Sequence, residues 1–154
     1  MNRRHLLATI PALALAACGT VTSSKTGTVT TVQVNVAKLT AWADAISTAA
    51  SAILTILSAV PQTAAVAMMV ESVQKLIVAD IDAINRAAGG QAVLTFDAAS
   101  PPAAVASLLA DGKELVADLT AANLPPGVGG RVAPYVAMIE ATVAAIQGAV
   151  AAVG

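Results

Sequence analysis

The side chains in this 154-residue chain that could do chemistry are few and scattered. There is one cysteine, Cys18, and one histidine, His5, both near the N-terminus. Asp111, Glu114 and Asp118 stand at i, i+3 and i+7, which on a helix gathers three carboxylates on one face. Such a face can hold a hard cation or trade protons. It is also what a solvated stretch in the N-terminal half of a helix carries, and that plainer reading is preferred. Asp80 and Asp82 are two apart and so point to different sides of a helix; Asp80 falls close to an apolar seam, where it could be a partly buried carboxylate, though the preferred reading sets it at the seam's edge, reaching water. Ser47, Ser51, Ser58, Ser72 and Ser107 have no base beside them except lysines on other segments. Gly89-Gly90 and Gly127-Val128-Gly129-Gly130 lack the lysine and the strand–loop–helix setting of a phosphate loop, and read as turns. No catalytic residue and no metal site is assigned, and the expectation is a protein that is not an enzyme.

The lone thiol has a context of its own. Arg3 and Arg4 are followed from Leu6 to Ala17 by an uncharged, apolar run, the layout of a secretory signal and too short for a finished membrane span. Leu15-Ala16-Ala17-Cys18 then puts small residues before the cysteine. This tetrad resembles the lipobox of bacterial lipoproteins, a likeness confined to about a tenth of the chain. The resemblance implies cleavage between Ala17 and Cys18, and a thioether-linked diacylglycerol on Cys18, usually with a third acyl chain on its amine. Gly19 rather than Asp after the cysteine is similar to outer-membrane sorting. Arg3-Arg4-His5-Leu6-Leu7 also resembles a twin-arginine export signal but departs from it at Asn2, Leu6 or Leu7, and Ala8, so the export route stays open.

With residues 1–17 removed, no imidazole remains, and acylation would use the thiol. Zinc sites of His and Cys, Cys–His nucleophiles and Ser–His–Asp triads are then excluded, as is any disulfide. From Cys18 onward six basic residues face nine acidic ones, a net charge of −3 with no basic cluster. That argues against nucleic acid and against electrostatic docking on anionic lipid. No small-molecule substrate and no cofactor beyond the covalent lipid is evident. An envelope protein partner or self-association is compatible with the sequence.

Stepwise along the chain, residues 18–31 are mostly Thr and Ser with Gly and are expected to form a flexible tether behind the lipidated cysteine. Val32, Val34 and Val36 alternate with polar residues as a strand would, while Thr30-x-x-Gln33 fits a helix capping box and Asn35 offers a second N-cap. Residues 32–154 are expected to be a helical domain. Leu39, Trp42, Ile46, Ala49, Ile53, Ile56 and Val60 form one seam; Val66, Val70, Val73, Ile77, Ile81 and Ile84 form a second after Pro61. Residues 91–99 are open between a short strand and a helical turn. Ser100-Pro101 reads as the start of a third helix with Val105, Leu108, Leu109, Leu115, Val116 and Leu119 on its apolar face. After a break at residues 124–130, Val132, Val136, Ile139, Val143, Ile146, Val150 and Val153 make the fourth seam.

The expected fold is therefore all-α, an antiparallel four-helix bundle. The 33 alanines from Cys18 onward, beside only three aromatics (Trp42, Phe96 and Tyr135), predict closely approaching helix axes and a core of small aliphatic side chains. The function that follows is a lipid-anchored, periplasm-facing module that binds or supports without catalysing. The alternative is a membrane-perturbing, lysis-associated helical protein, since Glu140 is the one charge between Val132 and Val153.

Overall fold

The computed structural model describes residues 21–26 and 29–151. The described residues are mostly helical, with four helices and a small antiparallel sheet of three strands in the order β1-β2-β3. The strands are β1 (Val21–Thr26), β2 (Val29–Asn35) and β3 (Val93–Asp97); the helices are α1 (Val36–Ser58), α2 (Ala64–Ala88), α3 (Ala103–Ala121) and α4 (Pro126–Ala151).

The expected helical class holds in the main, with a small sheet added to the four helices: residues 21–26 and 29–31 of the stretch expected as a tether lie in β1 and β2. Val21–Thr26 pairs with Val29–Val34, Val21 standing opposite Val34 and Thr26 opposite Val29. Thr and Val dominate both segments, and β-branched side chains fit a pleated, half-buried surface. Alternation does the rest: Val32 and Val34 are buried while Gln33 is exposed. The hairpin thus overrides the capping box at Thr30, and the helix waits for Asn35. The Asn35 side-chain oxygen accepts a hydrogen bond from the backbone N–H of Lys38 at 3.2 Å, an N-cap. Within residues 91–99, Val93–Asp97 form a strand, Leu94 facing Val34 and Phe96 facing Val32 across the ladder. All four of these side chains point into the same core.

The helices pack in a closed order: α1 against α2, α2 against α3, α3 against α4, and α4 back against α1. Leu39, Ile46, Ile53, Ile77, Ile84, Leu108, Leu115, Ile139 and Ile146 fill the space between them and are fully buried. A tight turn with a 3₁₀ piece, Pro61–Thr63, joins α1 to α2. There the buried Thr63 hydroxyl reaches the Leu57 carbonyl at 2.6 Å and the Val60 carbonyl at 2.8 Å. Gly89 ends α2 in the left-handed conformation at φ 56°, which a residue without Cβ adopts cheaply, its N–H bonded to the Arg86 carbonyl.

Two helix starts differ from expectation. α3 begins at Ala103 with Pro102 as its cap, not at Ser100-Pro101; Ser100 instead closes a turn by donating its N–H to the Asp97 carbonyl. α4 begins at Pro126 and takes in Gly127 to Gly130, which were expected to break the chain. The Pro125 carbonyl accepts from the N–H groups of Val128 and Gly129, and Pro126 suits the first helical position, where no N–H is needed.

The sheet closes one end of the helical body. β2 runs directly into α1, β3 follows α2 after four residues, and the Val36 N–H bonds the Ala92 carbonyl at 2.9 Å. The opposite end carries the α1–α2 and α3–α4 connections.

Candidate carboxyl pair and surface grooves

The apolar seam of α2 is interrupted where the helix meets α3. The buried positions Val70, Val73, Ile77, Asp80, Ile84 and Ala88 recur every three or four residues, so Asp80 occupies a core position in place of an aliphatic residue. Ile81, expected in that seam, lies half-buried beside it. Asp80 is only 7% exposed, and its Oδ2 has no hydrogen-bond partner. The expectation that it reaches water at the seam's edge is corrected.

Facing it from α3 is Asp111, half-buried. Burial first, then the charge of Asp80 and a hydrogen bond with it, raise the Asp111 carboxyl from 3.8 to about 6. Two carboxylates can only accept hydrogen bonds. With one proton between them, one becomes a donor and the pair closes on itself. Among the described side chains the ion pair formed is Lys75–Glu71 at 2.7 Å, and no cation compensates Asp80 or Asp111. That exposed pair works in the other sense: the hydrogen bond from Lys75, then its charge, holds Glu71 below the usual carboxylate range.

The three carboxylates predicted to share a face of α3 divide. Asp111 turns toward α2, Glu114 is exposed and Asp118 is half-buried. No group of three or more His, Cys, Asp or Glu among the described residues is placed to hold a metal ion. The partnership of Asp111 with Asp80 joins different helices, so spacing along the chain could not reveal it; the signal available was an acidic residue standing in a Val/Ile rhythm.

Gly112, next to Asp111, is the second special position. It is buried, and a Cβ built there would lie 2.7 Å from Cγ2 of Val143 on α4 and 3.6 Å from Cδ1 of Ile46 on α1. The missing side chain lets α3 approach Val143 of α4 closely, with Ile46 of α1 beyond it.

Several of the described hydroxyls are held in helical hydrogen bonds. Ser51 donates to the Ser47 carbonyl at 3.0 Å and accepts from Gln74 Nε2 at 2.6 Å, tying α1 to α2. Thr40, Thr55, Thr120 and Thr142 bond the carbonyl four residues back, as helical hydroxyls do.

Open grooves among the described residues include the following two. One, of about 310 Å³, lies between α3 and α4 and is lined mainly by Leu119, Leu124, Val132 and Val136 with Glu140 at its wall. The other, about 500 Å³, lies where α1 begins and α2 ends, with Asn35, Thr40, Asp44, Asn85 and Gln91 around it. Asp80 and Asp111 line neither. Cys18 and Ala17, the predicted lipidation and cleavage residues, lie outside the described residues, as does Val153. No protein-family model, curated protein or solved structure matches this chain.

Proposed function

We propose that the chain is a bacterial lipoprotein whose acylated Cys18 holds a non-catalytic binding or structural domain at the periplasmic face of the outer membrane. The observation that carries this reading is the order Arg3-Arg4, apolar run, Leu15-Ala16-Ala17-Cys18. Each buried methylene of an acyl chain contributes about 0.8 kcal/mol, so two or three chains anchor the protein durably where one holds marginally. The domain itself is read as an antiparallel four-helix bundle with the sheet across one end. A non-catalytic role is supported by the placement of Asp80 and Asp111 between helices, outside the α3–α4 groove and the groove where α1 begins.

The test is incorporation of labelled palmitate in cells expressing the chain with its own leader. Label in the wild type and none in Cys18→Ser is the expected result. Equal label in both, or native protein recovered from the medium with a free thiol, would remove the anchor.

A second reading, membrane perturbation, is favoured by one observation: α1 and α4 are each long and apolar enough to cross a bilayer. Leakage of liposomes exposed to the unlipidated domain would support it over the first.

A further inference from the structure

We infer that the outer face of the three-stranded sheet lies against the phospholipid headgroups, so that the protein stands on the membrane sheet-end first. The inference rests on the acylation of Cys18 proposed above. It adds an orientation and a contact surface.

Chain length drives the argument. β1 begins at Val21, three residues beyond Cys18. Three residues, even fully extended, span about 10 Å. Of the stretch 18–31 expected as a tether, residues 21–26 and 29–31 are taken up by the strands of the hairpin. Register then fixes which part of the domain is held. Val21 pairs with Val34, which also pairs with Leu94, so the anchor enters the sheet beside the junction with α1.

The sheet has two unlike faces. Val32, Val34, Leu94 and Phe96 point into the core. Ser24, Thr26, Val29, Gln33, Val93 and Thr95 are exposed, with Val29 at 48% and Val93 at 38%. This face offers hydroxyls, an amide and two aliphatic side chains, chemistry that suits the hydrated headgroup layer. Its one carboxylate, Asp97, is half-buried and accepts a hydrogen bond from the Ala99 N–H at 3.0 Å, so no fully exposed anion opposes an acidic lipid. The face has no need of strong intrinsic affinity. A link this short holds it at a local concentration in about the millimolar range, where a weak contact is populated. From the sheet, α1 runs 23 residues, about 35 Å, so the α1–α2 turn stands well clear of the bilayer.

The experiment uses the full chain, lipidated in cells and reconstituted into phosphatidylethanolamine–phosphatidylglycerol vesicles containing a headgroup nitroxide lipid. With Cys18 acylated, a single thiol introduced at exposed Thr95 or at exposed Gln62 takes an environment-sensitive fluorophore. Thr95→Cys is expected to lose most of its fluorescence to the nitroxide and Gln62→Cys to lose none; Val93→Cys repeats the first result at a neighbouring site. Equal quenching at Thr95 and Gln62, or none at either in vesicle-bound protein, would overturn the orientation. Inserting a long Gly/Ser linker between Gly19 and Thr20 is expected to abolish the difference, and a difference that persisted would overturn the tether-length argument. Failure of the anchor itself looks distinct: the protein would not float with the vesicles at all.

Discussion

Asp111→Asn is expected to stabilise the domain, and only above the acidic range. The folded state raises the Asp111 carboxyl from 3.8 to about 6, so the native protein holds a proton there that the unfolded chain has released. Stability from this group is therefore fully present below about pH 4 and is lost as pH rises through 6. At about 1.36 kcal/mol per pH unit of displacement the whole effect would be ~3 kcal/mol. Asp111 is partly open to water, and screening reduces that to about 1 kcal/mol. Asparagine cannot ionise, and its amide N–H can donate to the orphan Oδ2 of Asp80. Urea unfolding followed by helical circular dichroism reads the difference between variant and wild type. With a slope of about 2 kcal/mol/M, the midpoint of Asp111→Asn should exceed that of wild type by ~0.5 M at pH 7.5 and match it near pH 4. Taking the difference cancels the opposite contribution of Glu71, whose lowered carboxyl stabilises above its ordinary range and loses that in acid. A variant that tracks wild type at every pH, or is less stable at pH 7.5, would refute the shared-proton account.

The remaining expectations concern packing and capping. Gly112→Ala gains about 1 kcal/mol of helix propensity but sets a Cβ 2.7 Å from the stiff Val143 side chain, an overpacking cost of about 1–3 kcal/mol, for a net loss of ~1 kcal/mol. Gly148→Ala, with nothing within 4 Å, should be neutral to stabilising, and thermal melts that rank the two the other way would sink the close-approach argument. Asn35→Ala should cost about 1 kcal/mol in urea unfolding by losing the α1 cap, while Asn35→Asp keeps it. Thr63→Val removes the buried hydroxyl between the Leu57 and Val60 carbonyls; because each carbonyl also accepts a backbone N–H, the expected loss is only ~1 kcal/mol, and a loss several times larger would show the turn depends on that hydroxyl alone.

The helices were legible in the sequence because burying one stripe needs a period near 3.6, and the observed cores of α1 and α4 keep most of the predicted positions, Leu39, Ile46 and Ile53 in one and Val132, Ile139, Val143 and Ile146 in the other. The Thr-rich stretch was ambiguous because its composition suits a solvated tether and an edge strand equally; pairing with β3, about 65 residues later, decides for strand, and no local signal reports a partner so distant. The pattern of small and β-branched aliphatics also announced close helix packing without saying where it is closest. That place is Gly112, visible only once Val143 and Ile46 are brought around it. Asp80 makes the same point for charge. Sequence set a carboxylate at the border of an apolar seam, since a period of three to four allows either neighbour to face inward. Only the rotation of α2 against α3 put Asp80 rather than Ile81 into the core, opposite Asp111, because helix packing is settled by the fit of whole faces and not by the preference of one side chain.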